Sequence, residues 1–256
     1  MDNMNIAGGY DVAELSFWAF TLFFIGLLVY LRREDRREGY PLEDEVTGRV
    51  DTPAGVLANA GPKRFLLPFG RGTVTTPTKG REPVDVAGER TFRSPGAPYH
   101  PTGNPLTSKL GPAAYADRAD VPDLDGEGRS RIVPIGLTQH IAVDYRDTDP
   151  RGMQVLGADG AVAGTVTDLW VDRAEHQIRY LEIDTGTNRV LAPMGMAKVR
   201  GKVRQVVVDA INAADFAGAP VPKTAGQITF LEEEKIFGYF GGGYLYANAA
   251  RQEPIL

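Results

Sequence analysis

The sequence predicts a single membrane-spanning helix followed by a mainly β domain that a second helix closes. Three stretches carry that expectation. Leu15 to Leu31, LSFWAFTLFFIGLLVYL, holds no charged side chain. Beyond about Arg131, short runs rich in Val, Ile, Leu and Tyr alternate with turn residues. After Leu231 the chain reads EEEKIFGYFGGGYLYANAA, where three acids suit the positive end of a helix dipole.

At 1.5 Å per residue the apolar stretch spans roughly 25 Å as a helix, close to the hydrocarbon thickness of a bilayer. Tyr10, Glu14 and Tyr30 sit where side chains reach the headgroups, and the Ser16 and Thr21 hydroxyls can bond back to helix carbonyls. A secretory leader would place positive charge before the apolar run, whereas MDNMNIAGGYDVAE contains no Lys or Arg. Arg32, Arg33, Arg36 and Arg37 follow the run instead, so the positive-inside rule puts the N-terminus outside and the remaining chain in the cytoplasm. Alternating charges continue to Glu38, and Gly39-Tyr40-Pro41 then stops the helix.

Composition narrows the chemistry. A net charge of -5 lacks the basic face of a nucleic-acid binder. Without cysteine there is no thiol nucleophile, disulfide framework or thiolate metal site. His100, His140 and His176 lie far apart with no HxxxH-type pairing, so no intrinsic metal site is expected. GxSxG, P-loop, GxGxxG and HExxH patterns are all missing, which disfavours a membrane-anchored hydrolase or transferase; a tethered adaptor that recruits soluble partners is the other alternative.

Between Pro41 and Pro122 lie twelve of the eighteen prolines, and no periodicity persists. Phe65, Leu66, Leu67, Phe69, Phe92, Tyr99 and Tyr115 make this stretch too apolar for a solvated linker. It reads as an extended segment draped on a partner surface, with KRFLLPFGRGTVTTP supplying one or two short strands.

From Arg131 onward the runs AVAGTVTDLWVD, HQIRYLEID, RVLAPM and KVRQVVVDA are separated by the turns DRAE, DTGTN and VRGK. That spacing is an antiparallel meander closing into a small barrel or sandwich. Leu181 and Ile183 alternate with Glu182 and Asp184 as in a half-solvated strand. In the final helix Gly241, Gly242 and Gly243 imply either a closely packed neighbour or a break.

Motifs along nearly the whole chain are similar to one family. They are REGYPLE (37–43), FLLPFGRGTVTTP (65–77), HPTGNP (100–105), GPAAYADRADVPDLDG (111–126), DLWVD (168–172), RYLEID (179–184), LAPMGMAKV (191–199) and LEEEKIFGYFGGGYLYA (231–247). In this order they resemble the H subunit of the purple-bacterial photosynthetic reaction centre. The resemblance implies a single-pass protein of the inner (intracytoplasmic) membrane, its N-terminus periplasmic and its bulk cytoplasmic. Residues 1–11 would be periplasmic, 12–38 the transmembrane helix and its basic cytoplasmic end, 39–130 the extended segment, and 131–256 a PRC-type β-barrel with a C-terminal helix. It implies a non-catalytic cap on the L and M subunits, which hold the bacteriochlorophyll, bacteriopheophytin, quinones and non-haem iron; this chain itself would bind none of them. Membrane lipids and a light-harvesting ring are further candidate neighbours.

The same resemblance assigns the subunit a part in carrying protons to the secondary quinone. Such a path needs titratable groups within hydrogen-bond or single-water reach. The turn Asp172-Arg173-Ala174-Glu175-His176 gathers two acids and an imidazole, although a D-x-x-E corner alone is usually solvated. By resemblance Glu175 is the interior carboxylate nearest the quinone subunit, Asp172 lies beside it, and Arg179 is close enough to hold Glu175 partly ionised. Asp125 would lie near the surface intake, where Glu127 and Arg129 stand in place of imidazoles found in some family members. Glu127 can pass a proton, whereas a guanidinium does not deprotonate.

Overall fold

Asp11 fixes the start of the first helix, α1 (Val12–Glu34), by accepting the Glu14 N–H at 2.7 Å. The computed structural model describes residues 5–7, 10–37, 39–40, 42–51, 60–76 and 86–252. Glu38, Pro41 and the stretches 52–59 and 77–85 of the expected extended segment lie outside the described residues. The contacts divide the chain into two units, Met1–Asp85 with Phe92–Ala97, and Val86–Thr91 with Pro98–Leu256.

In the first unit, α1 is long and apolar enough to cross a membrane, and none of its residues is buried within the chain. The Thr21 hydroxyl bonds to the Phe17 carbonyl at 2.8 Å, as expected for a polar side chain on a spanning helix. Past the helix, Arg37 pairs with Glu34 at 2.8 Å and donates to the carbonyls of Gly61 and Thr76 at 2.7 and 2.6 Å. These bonds tie the helix end to a hairpin of Lys63–Leu66 and Thr73–Thr76. The expected strands of KRFLLPFGRGTVTTP are therefore present. Phe69 and Gly70 turn the chain at positive φ, and Leu66 is left 83% exposed.

The second unit is built on one sheet. Its strands are β1 (Ile132–Pro134), β2 (Gln154–Leu156), β3 (Val162–Asp172), β4 (Gln177–Asp184), β5 (Arg189–Pro193), β6 (Ala197–Arg200) and β7 (Gln205–Val208). Their order is β5-β4-β3-β2-β7-β6, with β1 pairing the C-terminal end of β3. All pairings are antiparallel except β2 with β7. The two outermost strands, β5 and β6, are consecutive in sequence and joined by the turn Met194–Met196, so the sheet must curl until its ends meet at that corner. Two register shifts between β3 and β4 supply local twist for that curl. Val155, Val166, Leu169, Leu181, Ile183, Val190, Val206 and Val208 fill the concave side. Leu181 and Ile183 are buried and Asp184 is exposed, the alternation that the sequence implied.

The closing helix, α2 (Phe230–Tyr246), begins at Thr229 with a reciprocal cap. The Thr229 hydroxyl accepts the Glu232 N–H at 3.1 Å, and the Glu232 carboxylate accepts the Thr229 N–H at 2.9 Å. Ile236 and Phe240 enter the core, where Phe240 meets Phe216 edge-on. The glycines do not break the helix. A Cβ on Gly242 would sit 2.7 Å from that of Ala113, and one on Gly243 would collide with the Ile211 side chain and the Ala210 carbonyl. The neighbour that needs these glycines is partly the turn Gly111–Ala113, from the proline-rich stretch. Leu106 and Ala113 are buried, and Phe230 N–H donates to the Val121 carbonyl at 3.1 Å. Residues 98–130 therefore belong to the same unit as the sheet, because their apolar side chains find their partner in α2.

Candidate functional site: a charged cleft beside the β3–β4 turn

Asp172 is the last residue of β3, and its side chain organises the turn after it. Oδ1 accepts the N–H groups of Ala174 and Glu175 at 2.9 and 3.1 Å, which caps the corner, and His176 closes it at φ 53°. The carboxylate is almost wholly buried, and it is balanced by Arg131, which stands beside it because β1 pairs with the end of β3. The Arg131 Nε donates to both Asp172 oxygens at 2.9 and 2.8 Å. Its other nitrogens reach Glu175 at 2.5 Å and Asp123 at 3.4 Å. One guanidinium thus joins three carboxylates from two segments, the β3–β4 turn and the Asp123 loop.

Burial pushes the Asp172 carboxyl up, but the Arg131 hydrogen bonds and the two backbone N–H groups outweigh it and hold the acid below its ordinary range. The hydrogen bond to Asp172 in turn pushes the Arg131 guanidinium further up.

These groups line a cleft of about 440 Å³ together with Arg118, Arg179, Phe230, Glu233, Glu234 and Phe237. Asp172, Glu175 and Arg179, all singled out in the sequence, share this cleft. Glu175 lies at its open side with the side chain 54% exposed in the chain alone. Its closest cation is Arg131, whereas Arg179 stands 4.0 Å from Glu233. Sequence reasoning did not find Arg131, Asp123, Glu233 or Tyr180. Their roles come from strand pairing and helix docking, which no local pattern announces.

Asp125 and Glu127 do not line the cleft, but they sit on a loop rooted in it. Leu124 bridges Ser130, and the Arg131 N–H donates to the Asp123 carbonyl at 2.8 Å, so Asp123 and Arg131 form the base of a tight hairpin. Asp125 is buried at its tip and accepts the N–H groups of Glu127 and Arg129 at 3.0 and 2.9 Å and the Arg129 Nε at 3.0 Å. The Arg129 N–H chiefly holds the Asp125 carboxyl below its usual range, against the opposing effect of burial. Arg129 also pairs with Glu127, whose side chain is exposed. On the other side of this loop, Arg129 shares a second groove with His140, Arg173 and His176. Among the described residues no group of three or more His, Asp or Glu side chains could hold a metal ion.

An apolar helix able to cross a bilayer, joined to a curled sheet domain that gathers acids and arginines in a solvent-accessible cleft, defines a membrane-anchored protein with a built-in acid–base network. The comparisons with known families agree with that class and sharpen it. Residues 4–137 match the photosynthetic reaction centre, H-chain N-terminal region, and residues 142–215 match the PRC-barrel domain. The first match alone covers more than half of the 256 residues, and the chain belongs to the reaction-centre H-chain family. It is a structural subunit of a photosynthetic reaction centre, placed in the photosynthetic membrane with the L and M subunits, which carry the pigments and quinones.

Proposed function

We propose that this subunit caps L and M on their cytoplasmic side and conducts protons through the β3–β4 cleft toward the secondary quinone. The observation that carries the proposal is the Arg131-centred network: Asp123, Asp172 and Glu175 converge on one guanidinium, and Glu175 opens outward. Reduction of the quinone to quinol consumes two protons, which a capped site has to draw from the cytoplasm. Asp172, held ionised, fixes Arg131 in place and keeps the cleft attractive to protons. Glu175, joined to that arginine by one exposed contact, is the carboxylate free to accept a proton and release it toward the partner. Protons enter by the hairpin tip, where Glu127 is exposed and Asp125 lies behind it.

In this reading the positive charges Arg32 to Arg37 keep the helix end cytoplasmic and residues 1–11 periplasmic, with α1 packed among partner helices and lipid. The first unit's hairpin, with Leu66 and Phe69 exposed beyond the helix end, lies on the partners' cytoplasmic surface. Residues 98–256 form the cap.

The test is Glu175→Gln in the complete complex, identified by its bacteriochlorophyll absorption. The first electron transfer to the secondary quinone requires no stoichiometric delivery of a proton and changes little. The second is coupled to protonation and slows, by about tenfold for each 1.4 kcal/mol added to the barrier. A second-electron rate unchanged between about pH 6 and 9 removes Glu175 from the path and leaves a structural cap.

A further inference from the structure

Two of the carboxylates lining the cleft, Glu233 and Glu234, lie beyond both matched stretches. Three consecutive acids open α2, and the fold separates them. Glu232 turns back to the Thr229 cap and also accepts the Lys223 N–H at 2.7 Å. Glu234 faces Arg118 at 3.5 Å. Glu233 points inward, its side chain only 14% exposed, and accepts the Tyr180 hydroxyl at 2.7 Å. Tyr180 is fully buried on β4.

Counting charge around this cleft isolates Glu233. Five carboxylates line it (Asp123, Asp172, Glu175, Glu233 and Glu234) against three guanidiniums, Arg118, Arg131 and Arg179. Arg131 is engaged with Asp123, Asp172 and Glu175, and Arg118 with Glu234. Arg179 approaches Glu233 only to 4.0 Å and is itself a third exposed. Asp172 is more deeply buried but has a close cation and two backbone donors. Glu233 is the largely covered acid of the cleft whose closest strong partner is a neutral phenol. The groups facing it are Tyr180 and Arg179 from β4, Asp123 and Arg118 from the preceding segment and Glu234 from its own helix, with Arg131, Asp172 and Glu175 lining the same cleft.

We propose that Glu233 stores an exchangeable proton in this cleft and releases it to the Glu175–Arg131 group, an inference that rests on the proton-conducting reading above. Tyr180 donates to one carboxylate oxygen, so the stored proton sits on the other, Oε1. It passes through water, for which the cleft has room, to a Glu175 oxygen; Glu233 is left anionic and is recharged from solvent. Burial pushes the Glu233 carboxyl upward more than the Tyr180 hydrogen bond and Arg179 pull it down, and Asp123 adds to the rise. Burial, reinforced by the charge of Glu233, pushes the Tyr180 phenol upward too, so it remains a hydrogen-bond donor throughout. Among the described carboxylates whose ionisation the fold shifts, Glu233 is the one that moves upward.

The test is infrared titration of the carboxylic-acid C=O stretch in the complete complex, comparing the unaltered protein with Glu233→Gln and Tyr180→Phe. The expected result is a band that persists above the ordinary carboxylate range, is lost in Glu233→Gln, and titrates about one unit higher in Tyr180→Phe, where the bond favouring the anion is gone. A band that survives in Glu233→Gln, or is already lost at the ordinary carboxylate pKa in the unaltered complex, overturns the proposal. If Glu233→Gln does not assemble, Tyr180→Phe decides alone, and an unmoved midpoint overturns it. The two readings fail separately. An unchanged second-electron rate in Glu175→Gln removes the relay but leaves the titrating Glu233 band, whereas absence of that band removes the store and leaves Glu175 in the path.

Discussion

Replacing Asp172 with Asn tests whether the Arg131 network supports the cleft energetically as well as geometrically. The side chain is nearly isosteric, so Oδ1 can still accept the Ala174 and Glu175 N–H groups and the turn survives. What changes is the face toward Arg131, where an amide NH₂ replaces the oxygen 2.8 Å from Nε and sets donor against donor. A hydrogen bond to a charged group contributes about 1.5–3 kcal/mol. The larger loss of about 3–5 kcal/mol, seen when a buried charge is stranded, does not apply, because Arg131 keeps Glu175 and Asp123. The expected cost is about 2 kcal/mol, or a Tm lower by roughly 4–8 °C for a domain of this size. The cost also depends on pH with a definite sign. Asp172 has its folded-state pKa depressed, so its stabilisation is full above the unfolded value of about 3.9 and disappears as pH falls through the folded value. Thermal unfolding of the full chain in detergent, followed by far-ultraviolet circular dichroism from about pH 7 to pH 3, gives the comparison. The gap between the two proteins should be widest at neutral pH and close in acid. An equal gap at every pH would mean that the loss is one of packing, and no gap at all would mean that Asp172 and Arg131 are not paired.

Gly243→Ala should destabilise the second unit: overpacking against Ile211 and the Ala210 carbonyl costs about 1–3 kcal/mol, only partly offset by the roughly 1 kcal/mol gain in helix propensity, and the same thermal assay reads it. At the hairpin tip, Glu127 and Arg129 offer no imidazole, so micromolar-range zinc should leave light-driven proton uptake in the complex largely unaffected. The double change Glu127→His with Arg129→His, beside Asp125, should make uptake zinc-sensitive; equal sensitivity in both proteins would place the proton intake elsewhere.

The parts of the fold legible in sequence are those that a local rule decides. A bilayer-length run without charge gives α1, period-two alternation gives β4, and an acid-led apolar run gives α2. The proline-rich stretch shows where such rules stop. Its aromatic content pointed to a segment draped on a partner subunit, whereas residues 98–130 group with the sheet and pack on α2 of the same chain, more than a hundred residues further along. The two halves of that contact are an Ala-rich turn and a Gly-rich helix face, and each alone looks merely small. Their complementarity exists only after the chain has folded back.

The cleft extends the same argument to charge. Asp172 and Glu175 were visible because the turn places them close in sequence, whereas Arg131 is an unremarkable basic residue before a strand until β1 pairs with β3 and sets it against both. The three acids of α2 are equivalent in composition, yet one caps the helix, one meets Arg118 at the cleft wall, and one is carried inside against Tyr180. Burial alone would raise every acid it reaches; which acid stays protonatable depends on where the three arginines are already engaged. With Arg131 and Arg118 engaged by other acids and Arg179 no nearer than 4.0 Å, the uncompensated negative charge of the cleft falls on Glu233.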